Sequence, residues 1–292
     1  MKQVRKMRDW DAEKTARDPK TDREELETLA RSWDWHVRRA VAQNPCAPPT
    51  ILDELARDNV QWVREAVAGN QKTSPTVLVL LAHDADGFVR ATAALSESAP
   101  PDVLEELAHD ETVDFEYTRS KNRYITQEAV AKNPRTPTEV IKFLASHGDE
   151  DVRASAASNQ KVPSDVVFRL RTDQSWVVRK RVAESPVTTV EVLDWLAADR
   201  IQDVRKAVAQ NPRTSTGSLR GLAMDRDTDI RVSVAKNPCA DTETLEVLSE
   251  DWSWKVRDQV AKNPSTPEEM VRRLAKDGDQ SVKKTAQARL DK

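Results

Sequence analysis

One periodicity constrains this chain more than any other feature. Segments resembling VRRAVAQNP begin at Val37, Val63, Val89, Thr126, Val152, Val178, Val204, Ile230, Val256 and Val282, spaced 26 residues apart except for one step of 37. With the first residue of each segment as position 1, apolar residues recur at 1, 4 and 5 and again at 15, 16, 19 and 20, as in Val37, Ala40, Val41, Ile51, Leu52, Leu55 and Ala56. Each set follows the helical period. Between them stands Asn-Pro or its variant at positions 8 and 9, as in Asn44-Pro45, Asn211-Pro212 and Asn263-Pro264. Proline bars the residue before it from continuing a helix, so the first helix of each repeat is predicted to have about two turns. The second is predicted to start at a cap. In Thr136-Pro137-Thr138-Glu139, Thr266-Pro267-Glu268-Glu269, Thr21 with Glu24 and Thr188 with Glu191, the Thr oxygen is expected on the orphan amides and the Glu is expected to reach back.

Two such helices cannot bury their stripe alone, so successive repeats must stack into one continuous core of Val, Ala and Leu. The predicted fold is all-α, an α-solenoid of about ten 26-residue repeats forming a single domain over 1–292. Residues 1–36 read as an N-terminal capping repeat, because DAEKTARDP from Asp11 keeps the Asp-Pro punctuation and loses the apolar residues. Residues 37–281 are the repeats, and 282–292 the C-terminal cap. At the usual spacing of packed helices, about 8–10 Å, ten repeats make an arc on the order of 100 Å long with a continuous groove.

The run VRxAVAxNPxTPxxxLxxLAxD resembles the bacterial leucine-rich repeat variant, a family related to the HEAT-like repeats, from about residue 11 to 290. The resemblance implies a right-handed solenoid of alternating α and 3₁₀ helices, with paired short α-helices as the other form. It implies no particular activity. Some members carry an N-terminal iron–sulfur cluster on clustered cysteines. Here the two cysteines, Cys46 and Cys239, lie seven repeats apart, so no cluster, cofactor or metal is expected, and both are read as reduced and incidental. The four histidines show no metal-ligand spacing.

Two repeated polar columns have a structural and a functional reading. Arg occupies position 2 at Arg38, Arg64, Arg90, Arg153, Arg179, Arg205, Arg231 and Arg257. A row of arginines suggests a phosphate track, but an Asp six residues earlier in most cases (Asp58 before Arg64, Asp199 before Arg205) favours an Asp–Arg ladder. The Asn column at Asn44, Asn70, Asn133, Asn159, Asn211, Asn237 and Asn263 invites comparison with proteins that read one ligand unit per repeat. The stronger reading is a turn former satisfying local backbone groups.

Functional candidates are sought where the repeat breaks, since the scaffold does not need those residues there. The 37-residue step holds an 11-residue insertion within 109–125 that contains Phe115, Tyr117 and Tyr124. It is either a binding loop or a seal between repeats. Position 4 is small almost everywhere but is Arg181 in one repeat, and position 20, usually Ala, is Arg171 just before that repeat. Both are expected to meet acidic partners, such as Glu184 and Glu191, or to open the packing. With Trp176, Arg179 and Lys180 they form the densest basic and aromatic cluster. Finally, aromatics gather just before position 1: Trp35, Trp62, Phe88, Tyr124, Trp176 and Trp254, with Trp33 and Trp252 two residues further back. These either staple the short helix to its neighbour or form an aromatic edge that anchors a ligand.

Charge and composition narrow the function. With 46 basic and 49 acidic side chains the net charge is −3 and the pI about 5.9, far from a dedicated polyanion binder. Residues 1–150 carry −6 and 151–292 carry +3, so a basic C-terminal groove stays open. Only 6 glycines occur, with no Gly-rich phosphate loop, no membrane-length apolar run, and no nucleophile, base and orienter at a recognisable spacing. The expected protein is soluble, cytoplasmic and not an enzyme. It is a non-catalytic scaffold binding a protein or peptide along the solenoid groove, through the aromatic edge, the insertion and the cluster at Trp176. The alternative is a nucleic-acid-binding HEAT-like protein related to DNA repair, by analogy to DNA glycosylases of that architecture.

Overall fold

The computed structural model describes residues 8–112, 114–116 and 121–291. Their 21 helices come as ten consecutive pairs and one closing helix, Gln280–Leu290. First helices such as Trp35–Gln43 and Gln202–Gln210 have eight or nine residues; second helices such as Pro49–Leu55 and Thr216–Leu222 have seven or eight. Both kinds are α-helical, so the short αα form holds and the 3₁₀ alternative does not. Helices this short are marginal by themselves, and their stability comes from stacking. The fold is an α-solenoid in which, inside each compact unit, first helices pack on the first helices of the next repeat, as Trp35–Gln43 does on Gln61–Ala68 and Gln202–Gln210 on Thr228–Lys236. The chain falls into two compact units, Met1–Val152 and Arg153–Lys292.

In the N-terminal unit Val37, Val41, Leu52, Val63, Val67, Leu78 and Val89 are buried to zero exposure, the positions the period marks. In the C-terminal unit Val178, Val182, Leu193, Val204, Val208, Leu219 and Val234 do the same. Each contributes about 1.5–3 kcal/mol by leaving water, so the apolar stripe dominates. Polar columns set the register.

The Asn column is an inter-repeat ladder. The Asn237 amide donates to Ala209 O (2.8 Å) and Asn211 O (2.9 Å) in the previous repeat and accepts the Cys239 amide (2.9 Å). Asn44, Asn70, Asn211 and Asn263 make equivalent bonds. These rungs are buried and satisfy the carbonyls a short helix leaves open at its end. At the C-terminus Arg289 takes the Asn position and reaches the same two carbonyls, Ala261 O and Asn263 O.

The threonines do not form the expected capping boxes. Thr136, Thr188 and Thr266 donate backwards, to Val130 O, Val182 O and Val260 O at 2.5–2.6 Å. The N-caps of the following helices are Pro137, Thr189 and Pro267, with no side-chain cap bond. Thr21 likewise bonds Thr15 O, while Asp22 caps the next helix. The reason is registry: the Thr sits one residue too early, where its hydroxyl meets the carbonyls at the end of the first helix.

The Asp–Arg ladder exists with a different partner. Arg64 Nε and Nη2 grip the carboxylate of Asp84, twenty residues later, at 2.6 and 2.8 Å, while Nη1 donates to the main-chain carbonyl of Asp58, six residues earlier (2.7 Å). Arg38, Arg179, Arg205, Arg231 and Arg257 repeat the pattern. The expected spacing is therefore real, but the carboxylate bond runs forward and the backward bond uses the backbone. Each Asp also accepts the amide two residues on, as Asp84 does from Asp86 (2.9 Å). Burial pushes the Asp84, Asp199 and Asp225 carboxyls up, but the guanidinium and this amide outweigh it and hold all three below the ordinary range.

The insertion supplies the departure from helix among the described residues. Strands Asp114–Glu116 and Lys121–Arg123 pair antiparallel with Phe115 opposite Asn122. Nevertheless helix Gly87–Leu95 packs directly on helix Ile125–Lys132. Asn133 still reaches Ala94 O and Ser96 O at 2.6 and 2.8 Å, now 39 and 37 residues back. The stack of first helices therefore continues past the insertion.

Candidate partner-binding site

The aromatics before position 1 occupy the first turn of the first helices. Trp35 opens Trp35–Gln43, Trp176 opens Trp176–Glu184 and Trp254 opens Trp254–Lys262, while Trp62 and Phe88 are second residues of Gln61–Ala68 and Gly87–Leu95. In the N-terminal unit Trp62 and Phe88 are 42% and 41% exposed; in the C-terminal unit Trp176 and Trp254 are 40% and 43% exposed. Each is thus partly covered and partly open to solvent. Trp35 departs from this: it packs partly buried against the core and stacks on His36 at 3.8 Å. His36 and the Asp9 amide hold the buried Asp34, whose carboxyl burial pushes up and these bonds bring below the ordinary range. Trp35 thus serves both as staple and as lining of a cleft of about 520 Å³ with Arg31, Trp33, Arg38 and Asp58.

The basic cluster divides in two. Lys180 and Arg181 both turn to Glu184, at 3.7 and 2.8 Å, and the Arg181 side chain is exposed, so position 4 opens to solvent there. Among the described residues Arg171 finds no carboxylate. Its guanidinium lies over Phe168 at 3.4 Å and 5.0 Å from the Trp195 ring, and it donates to Phe168 O (2.5 Å). The expectation of acidic partners holds for Arg181 and is corrected for Arg171: stacking on aromatic faces replaces the ion pair. Arg171, Gln174, Arg179, Trp195, Asp199 and Arg200 line a cleft of about 660 Å³, whereas Trp176, Lys180 and Arg181 are not among its lining. Trp195 was not a sequence candidate, although it is the tryptophan that lies outside the entry of any first helix and faces solvent on a second helix, 59% exposed. That misfit was the available signal.

In the insertion, Tyr124 meets His147 edge-on at 4.7 Å, next to the helix that follows. Phe115 lies on the first short strand, and Tyr117 lies outside the described residues. Among the described residues no group of His, Cys, Asp or Glu is arranged to hold a metal ion, and no helix is long and apolar enough to cross a membrane.

Stacked helix pairs, buried Asn rungs, Arg–Asp rungs and a row of half-exposed aromatics define a short-helix α-solenoid. Its likeness among solved structures is to a leucine-rich repeat variant with a novel repetitive structural motif: 22% identity over 80% of this chain and 88% of that chain, TM-score 0.56. The two chains share a repeat-solenoid fold, built here from paired short α-helices. An engineered protein (17% identity, 96% of this chain and 93% of that chain, TM-score 0.41) and a chain from the complex of Kap95p with RanGDP (10%, 90% and 46%, TM-score 0.47) are more distant, with scores too low to specify a fold. No protein-family model and no curated protein matches the chain.

Proposed function

We propose that this protein is a non-catalytic scaffold that binds a protein or peptide along its stacked repeats, through the half-exposed aromatics. One observation carries the reading: Trp62, Phe88, Trp176 and Trp254, each in the first turn of a first helix, are all 40–43% exposed. A core of Val, Ala and Leu does not require them. Aromatic side chains fixed on one side and open on the other are effective anchors, since little rotamer freedom is lost on binding. Trp35, Tyr124, Arg171, Lys180, Arg181, Phe115 and Tyr117 are secondary candidates around these anchors.

The pairing of the arginine row bears on the nucleic-acid alternative. Arg38, Arg64, Arg90, Arg179, Arg205, Arg231 and Arg257 each spend their guanidinium on an Asp carboxylate and a carbonyl. A phosphate would have to compete with a bidentate internal partner, which favours the protein ligand.

The test is affinity capture from native lysate, with and without nuclease, by the wild-type protein and by a variant with Trp62, Phe88, Trp176 and Trp254 all replaced by Ala. A protein captured stoichiometrically after nuclease by the wild type and lost by the variant is the expected result. Capture that the variant retains, or that nuclease abolishes, overturns the reading.

A further inference from the structure

The first-helix face of the N-terminal unit holds a cavity of about 560 Å³ lined by Arg39, Gln43, Glu65, Gly69, Lys72 and Thr92, among others. It continues past Gly69 and Thr92 into a second hollow of about 400 Å³ that reaches Leu95 and Glu97. Volumes of this order suit small ligands.

What sets this place apart is how charge is handled at positions 3 and 7, which face each other one helical turn apart. In the other interior repeats with a charged position 3, that charge has a partner. Glu128 takes Lys132 (2.6 Å), Lys180 takes Glu184 (3.7 Å) and Asp258 takes Lys262 (2.5 Å), each at position 7 of its own helix; Lys206 takes Asp229 of the next repeat (3.3 Å). Among the described residues, Arg39 and Glu65 are the exceptions: neither forms an ion pair within contact distance, although they sense each other's charge. Position 7 is the uncharged Gln43 after Arg39 and Gly69 after Glu65. The Arg39 Nε is buried without an acceptor. Burial raises the Glu65 carboxyl above the ordinary range, and the charge of Arg39 offsets this only in part.

The glycine is not required by the backbone. Gly69 has φ −80° and ψ −7°, an ordinary right-handed conformation, and a Cβ there would meet only normal contacts, the nearest being Thr92 Cγ2 at 3.6 Å. What glycine supplies is space. A cation and an anion both face that space without satisfying each other, and the buried donor of Arg39 costs free energy until it finds an acceptor.

We propose that this cavity binds a small zwitterion, a free amino acid or a short peptide, whose carboxylate is received by Arg39 and Lys72 and whose ammonium is received by Glu65. The site uses none of the aromatic anchors, so its failure and that of the scaffold reading are distinguishable. The experiment is isothermal titration calorimetry of the full chain with the twenty free L-amino acids and with tri-L-alanine, together with N-acetylated and C-amidated tri-L-alanine. Binding by at least one zwitterion is expected, weakened tenfold or more in Arg39→Gln and in Glu65→Gln, and abolished in Gly69→Gln, which fills the gap. Lys206→Gln, at the same helix position but paired in the wild type, leaves the affinity unchanged. Binding by amino acids alone or by the tripeptide alone identifies the source; a tripeptide ligand loses affinity when either terminus is blocked. Absence of binding by every zwitterion, or affinity equal to wild type in Arg39→Gln and Gly69→Gln with an unchanged circular-dichroism spectrum, overturns the proposal.

Discussion

The rung at Arg64 and the rung at Gln127 occupy the same place in their repeats and solve it differently. At the first, a guanidinium clamps the Asp84 carboxylate and the Asp58 carbonyl. At the second, which follows the insertion, position 2 is Gln127 and the residue twenty later is His147, so both charged partners are replaced together. Gln127 keeps the backbone half of the rung by donating to Asp110 O, 17 residues back instead of six because of the eleven inserted residues. His147 keeps the loop half: its Nδ1 accepts the Asp149 amide at 3.0 Å, as Asp84 Oδ1 accepts that of Asp86. The charge pair is dispensable while the main-chain contacts are retained. The Asn ladder, by contrast, passes the insertion unchanged through Asn133. The two ladders thus have different duties: Asn ties first helix to first helix, and Arg ties the connections that an insertion can lengthen.

The sharpest way to break this contrast is Arg231→Ala. The Arg231 and Asp251 side chains are each 6% exposed, and removing one partner of a buried pair costs about 3–5 kcal/mol, read by urea unfolding. Gln127→Ala carries no such uncompensated charge and is expected to cost about 1 kcal/mol; equal losses would mean that charge pairing is not what distinguishes the rungs. Next in size, Asn237→Ala strands two buried carbonyls and an amide, a loss of about 3 kcal/mol. Asn133→Ala should match it, and a loss below about 1 kcal/mol there would show that the Asn ladder does not carry across the insertion.

Acid provides a milder probe. Asp84, Asp199, Asp225 and Asp277 have carboxyls held below the ordinary range in the folded state. Their contribution is complete above the unfolded carboxylate range and is lost as pH falls through the lower folded values. Asp225→Asn is therefore expected to be less stable than wild type at neutral pH, with the difference closing on acidification. A pH-independent difference would remove the ion pair as its cause. The smallest effect is a gain. Ser185 stands in the Asn column with its buried hydroxyl unbonded, so Ser185→Asn restores a rung and should add about 1 kcal/mol, measured as a higher urea midpoint.

Much of the scaffold was legible in advance. Period and proline punctuation mark Val37, Val41 and Leu52 as core and Asn44 as the boundary of a short helix, because these depend on spacing along one chain. The partners of Arg64 and Thr136 were not legible. Asp58 and Asp84 are equally regular in the sequence, and only the meeting of two connections in space selects the carboxylate of one and the carbonyl of the other. A Thr followed by Pro suits either a forward cap or a backward bond until the position of the helix start is known.

The same division holds for the candidate sites. The place of Trp62, Phe88, Trp176 and Trp254 at helix entries follows from counting, yet their shared half-exposure belongs to the packed surface. Arg171 is an anomaly in sequence, and its aromatic bed of Phe168 and Trp195 comes from the turn of one helix and the face of another. By itself the sequence determined a stack of short helices with a Val, Ala and Leu core, because helical period and proline act locally and repeat 26 residues at a time. Only the tertiary structure decided which charges are consumed inside the scaffold and which, at Arg39 and Glu65, are left facing open space. Pairing depends on distances between repeats, and those exist only once the repeats have stacked.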